Sequence, residues 1–125
     1  MNKLPNAEFN FAAFKRAFVS KDISTCLDFF AENAEWIEYK HPHPPKTIRL
    51  MKGKREIAGF LAEIKASNVT LSVEDEVVSP SRAAFCVLCT FSDGKKVVEN
   101  VVIHISDGKI TEEIDVETSD NCQVV

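Results

Sequence analysis

Glutamates interrupt three apolar strand patterns in this chain. Glu38 alternates with Ala34 and Trp36, Glu99 with Val97, Val101, Ile103 and Ile105, and Glu112 with Ile110, Ile114 and Val116. Side chains two apart share one face of a strand, so if the apolar residues face a core, the glutamates do too. An ionised carboxylate in such a place costs several kcal/mol unless it is hydrated, paired, protonated or useful. A pocket wall meets that requirement, and burial with mutual repulsion raises a carboxyl pKa toward the range where it works as a general acid or base. Glu38 and Glu112 are therefore the expected catalytic pair, with Glu99 a ligand contact. A hydrated rim is the competing reading, and the nearby Asp93-Gly94 turn favours it for Glu99.

His104 alternates with Val102 and Ser106, on the side opposite Ile103 and Ile105. Asp115 falls on the Thr111, Glu113 and Glu117 side, which reads as solvated; a bulge in that strand would reverse the assignment. His41 and His43 stand among prolines in WIEYKHPHPP with no nearby partner ligands, so a stiff loop is expected there rather than a metal site. Cys86 and Cys89 lie in a strand-like run, where residues three apart face opposite ways, which excludes a zinc knuckle. No metal and no cofactor is expected.

The elements that must position these groups follow from periodicity. Phe11, Phe14 and Phe18 predict one helix; Ile23, Cys26, Leu27 and Phe30 predict a second, capped by Asp22; Ile57, Phe60, Leu61 and Ile64 predict a third after Gly53. AEWIEY reads as a strand with TIRLM as a partner. From Val69 the period becomes two, and TLSVEDEVV, AAFCVLCTF, VVENVVIHI and ITEEIDVE predict a four-strand antiparallel meander, with hairpin signals at Ser92-Asp93-Gly94 and Ser106-Asp107-Gly108. The fold class is α+β, three helices on one face of a curved, mainly antiparallel sheet. In AAFCVLCTF both alternating sets are apolar, so the second face also needs a cover, and a homodimer through the sheet face is the expected one.

At 125 residues and 45% hydrophobic, the chain is the size of one domain, residues 1–125, with an ordered core of about 6–118. A net charge of −4 argues against nucleic-acid binding, despite the local run Lys46, Arg49, Lys52, Lys54 and Arg55, which reads as solvated or as a patch steering anions. Neither a signal peptide nor a membrane span is expected, and with reduced cysteines the reading is cytoplasmic.

Three stretches carry a family resemblance: SKDISTCLDFFAENAEW leading into the first strand, KGKREIAGFL in the third helix, and SDGKI in the last hairpin. From about Phe11 to Glu117 the chain resembles the SnoaL-like branch of the nuclear transport factor 2-like superfamily. That resemblance implies a cone-shaped, cystatin-like α+β barrel with a pocket between sheet and helices, and frequent dimers. Members include isomerases, dehydratases, epoxide hydrolases and polyketide cyclases. Steroid-isomerase-type members carry a general base at the place occupied here by Glu38, together with a tyrosine and a protonated aspartate where this chain has Phe14 and Val101. Neither residue can donate a hydrogen bond, so steroid isomerisation is not expected.

The sequence thus points to a small hydrophobic organic ligand in a pocket built from Phe11, Phe14, Phe18, Trp36, Phe60 and strand residues including Val101, with Glu38 moving a proton and Glu112 or Tyr39 orienting the ligand. The alternatives are a binding module without catalysis and a protein-interaction domain using the sheet face.

Overall fold

The computed structural model describes residues 8–40 and 48–119. His41, His43 and Cys122 lie outside them. Helix α1 (Phe11–Val19) opens on Asn10, whose side chain accepts a hydrogen bond from the Ala13 amide at 3.0 Å, and α2 (Ile23–Leu27) opens on Asp22, which accepts from Thr25 at 3.3 Å. These caps satisfy amides that a helix start leaves open. The second helix stops at Leu27, earlier than its periodicity suggested. Phe30 is instead the first residue of strand β1 (Phe30–Lys40), still fully buried, because an inward position in a strand satisfies it as well as a helical one.

Strand β2 (Ile48–Lys52) runs antiparallel to β1, and α3 (Gly53–Ala66) follows at once through Gly53, whose φ of +80° suits a residue without a Cβ. The meander is β3 (Thr70–Val78), β4 (Arg82–Thr90), β5 (Lys96–Ser106) and β6 (Lys109–Ser119). The sheet order is β2-β1-β6-β5-β4-β3, with β1 and β6 parallel and the other neighbours antiparallel. It is an open, mixed sheet with the helices on its inner face.

The last hairpin decides which side chains point inward. Asp107 and Gly108 both take positive φ, as a tight two-residue turn requires, and Ile105 pairs with Ile110. The next pair is His104 with Glu112, so Thr111 is an extra residue on β6. One inserted residue exchanges the faces of everything beyond it. Ile110 points inward, and so do Glu113, Asp115 and Glu117, whereas Glu112, Ile114 and Val116 point outward.

The core is aromatic. Phe14 stacks on Phe18 and meets Phe29, Phe30 and Phe85 edge-on at 5.7 to 6.3 Å, while Trp36 stacks on Phe30 and receives Phe60 edge-on at 4.9 Å. On the outer face, register places Leu50, Ile37, Ile114, Val102, Ala84 and Val77 side by side, one from each strand, forming an apolar row across the whole sheet.

Candidate functional site

Between α1, α3 and the inner face of the sheet lies a cavity of about 120 Å³. Its wall is largely apolar, from Phe18, Trp36, Phe60, Ile64, Val69, Leu71, Phe91 and Val97, and into it project Glu38 from β1, Glu99 from β5 and Glu117 from β6. One carboxyl oxygen from each of these glutamates lies within 4.8 Å of the others. Convergence follows from register: Glu99 is paired with Glu117, and Glu38 with Asp115, two residues before Glu117 on the same face.

Like charges this close cannot all ionise cheaply in a poorly hydrated site. Glu99 is held well above the ordinary glutamate range, first by burial and then by Asp115, Glu117 and Glu38. Asp115 is fully buried and accepts a hydrogen bond from the Trp36 indole Nε1 at 2.7 Å, which fixes the ring that walls the cavity. Glu113 is also enclosed, and its Oε1 has no hydrogen-bond partner among the described residues. Burial, then Asp115 and Glu99, pushes its carboxyl far up. The wall thus holds a carboxyl, Glu99, whose proton is retained above the ordinary range, close to two further carboxyl groups, an arrangement suited to acid–base chemistry.

Cysteines contribute differently. Cys89 lines the cavity and Cys26 is buried, and burial pushes both thiols up, which keeps them protonated and poor nucleophiles. Cys86 points to the other face, as the strand period required. Arg49, paired with Glu38 across β1 and β2, lies over the Phe60 ring at 4.6 Å and is engaged by Glu63 at 2.6 Å.

Of the residues singled out from sequence, Glu38, Phe18, Trp36 and Phe60 line the cavity. Glu99 lines it as well and is half-buried. Phe11, Phe14 and Val101 are buried in the core outside the cavity lining. Tyr39 is next to Glu38 and so lies on the opposite face, paired with Ile48. Glu112 is outside as well, 3.7 Å from His104, because the Thr111 bulge reversed the β6 assignment. The same bulge brings in Asp115, held from sequence as a secondary candidate, together with Glu113 and Glu117, which read as solvated. Their signal in the sequence is the alternation of the three acids with Glu112, Ile114 and Val116; it marks a common face without saying which.

The raised Glu113 carboxyl has a measurable consequence for stability. The folded state holds its proton above the pH at which the unfolded chain releases it, so folding binds protons. That contribution is whole below the ordinary glutamate pKa of about 4.5 and is lost as pH rises toward the raised folded value. Thermal unfolding of Glu113→Gln should show a gain over the parent that grows as pH rises above the ordinary glutamate pKa of about 4.5. A constant difference between the two proteins over that rise would contradict the assignment.

The model of the SnoaL-like domain family matches residues 11–113. Among solved structures, a candidate ketosteroid isomerase from Kribbella flavida DSM 17836 superposes with a TM-score of 0.74 at 16% identity, covering 92% of this chain and 79% of that one. An NTF2-like protein of unknown function from Mesorhizobium loti gives 0.74 at 19% identity over 86% and 87%, and a candidate isomerase from Bacillus subtilis gives 0.66 at 19% over 86% and 83%. At these identities the likeness is one of fold. No curated protein matches the sequence.

Proposed function

The chain belongs to the SnoaL-like domain family, and from that premise we propose that it binds a small, largely apolar organic molecule in the cavity and moves a proton on it. Glu38 accepts a proton from the ligand, and Glu99, whose carboxyl is held well above the ordinary glutamate range, returns a proton at a second position. Isomerisation, cyclisation and dehydration all fit that sequence of transfers. The observation carrying the reading is the convergence of Glu38, Glu99 and Glu117 oxygens within 4.8 Å on an otherwise apolar wall. Tyr39 and Glu112, on the outer face, have no part in it.

At about 120 Å³ the cavity limits the guest to about one small ring, since a void of roughly 150 Å³ holds benzene. A direct test incubates the protein with one-ring ketones, enones and amines in D₂O and follows exchange of their C–H protons by NMR. Exchange faster than in buffer supports the reading. Binding without exchange across the set would favour a ligand carrier, and no binding at all would remove the proposal.

A second proposal concerns the outer face. The row Leu50, Ile37, Ile114, Val102, Ala84 and Val77 is self-complementary under a two-fold axis, and Leu50, Val77 and Val102 are exposed. A second copy of the chain would cover it. Sedimentation velocity should find a species of twice the 14.0 kDa chain mass, reduced to monomer by Val102→Lys. A parent protein that is monomeric at all concentrations would overturn this, without touching the cavity.

A further inference from the structure

We infer that a row of charged side chains on the outer face fixes how a second copy of the chain seats there, about a two-fold axis that runs parallel to the strands between β5 and β6. This deepens the homodimer reading above and rests on it. One register step from the apolar row, toward the last hairpin, β2, β1, β6, β5 and β4 present Lys52, Glu35, Glu112, His104 and Arg82 in that order, each paired with its neighbour. The acids therefore stand together on β1 and β6, and the bases together on β5 and β4.

Within one protomer that order is unfavourable. Glu35 lies beside Glu112, and like charges on neighbouring strands destabilise a sheet. His104 and Glu112 approach to 3.7 Å, but Glu35 and Arg82 form no ion pair with any described residue. They cannot meet each other in one copy, because three strand spacings of about 4.8 Å put them roughly 14 Å apart.

A two-fold axis along the strands, midway between β5 and β6, exchanges the two halves of the row. It lays β6 over the partner's β5 and β1 over the partner's β4. Glu112 then meets the partner's His104, and Glu35 meets the partner's Arg82, each contact being made twice. The central residues close a square in which every carboxylate has an imidazole on either side. An axis across the strands would instead lay each charged residue over its own strand in the partner, against itself or an apolar neighbour.

Size agrees with charge. In the apolar row Ile37 of β1 is level with Ala84 of β4, and in the row beyond it Tyr39 is level with Cys86. The same axis sets the two large side chains of β1 over the partner's two small ones, the interdigitation that a well-packed interface needs. Sheets packed face to face lie about 10 Å apart, with strands roughly 30° from parallel, a gap that a glutamate and an arginine reach across from opposite sides.

Charge reversal tests the axis. Glu35→Arg and Arg82→Glu each place like charges at both outer contacts of a homodimer, whereas in a mixture of the two variants both contacts again join opposite charges. Sedimentation velocity over a range of concentrations gives the dimer dissociation constants, with circular dichroism to establish that each variant is folded. The expected result is that each variant alone dimerises about ten-fold or more weakly than the parent, and that the equimolar mixture recovers to within about three-fold of it. No change inside one protomer can produce recovery on mixing. Glu112→Lys mixed with His104→Glu repeats the design at the inner contacts, should either outer variant be unfolded. Single variants that dimerise like the parent, or a mixture as weak as its components, overturn the axis and leave the homodimer reading standing. A parent that is monomeric at all concentrations overturns both.

Discussion

Glu38→Gln should abolish proton exchange into a bound carbon acid while leaving the fold and ligand binding largely in place. Glutamine keeps the shape and can still accept a hydrogen bond, but it cannot take a proton at neutral pH. Loss of one positioned general base costs about 10²- to 10⁴-fold in rate. Glu38 is 3% exposed, with Glu99 and Glu117 oxygens within 4.8 Å. Exchange rates measured by NMR for parent and variant give the comparison, with circular dichroism to establish that both are folded. An unchanged rate would move the chemistry elsewhere. The same loss in Glu99→Gln would show that the proton-bearing partner is as necessary as the acceptor.

The second large effect is on stability. Phe14→Ala should cost about 3–5 kcal/mol, the range for removing a buried aromatic ring and leaving a void. Phe14 is 2% exposed and packs against Phe9, Phe11, Phe18, Phe29, Phe30 and Phe85, joining α1 to β1 and β4. Domains of this size have on the order of 5–15 kcal/mol in all, so the variant should be close to unfolding. Urea denaturation followed by Trp36 fluorescence reads the change directly. Because Phe14 lies outside the cavity lining, ligand affinity of the folded fraction should stay near the parent value; a loss of affinity at full stability would mean that Phe14 does touch ligand.

Much of the architecture was legible in the sequence because it rests on period and turn chemistry. Phe11, Phe14 and Phe18 are one turn apart and could hardly be other than a buried helix face, and the Asp93-Gly94 and Asp107-Gly108 turns set out the meander. The site was legible only in part. Glu38 follows Trp36 on β1 without interruption, so its face could be read from that of its neighbours. On β6 a single extra residue, Thr111, inverts the face of every later position, and alternation carries no information about such an insertion. Glu112 was consequently placed inside and Asp115, Glu113 and Glu117 outside, the reverse of their positions. Tyr39 failed for a simpler reason: it neighbours Glu38, and adjacent strand residues cannot share a wall. The proximity of Glu99 to Glu117 and Glu38 is a matter of strand pairing, between residues far apart in the chain, and no local pattern reveals it.

Glutamates from three strands crowd one another in a mostly apolar cavity. A ¹³C NMR titration of the glutamate side-chain carboxyls, assigned by single Glu→Gln substitutions, tests it most directly. The Glu99 carboxyl should lose its proton well above the ordinary range, and that titration should move when Glu38 or Glu117 is replaced by glutamine. Carboxyls of Glu38, Glu99 and Glu117 that all titrate independently at ordinary values near 4.3 would contradict it.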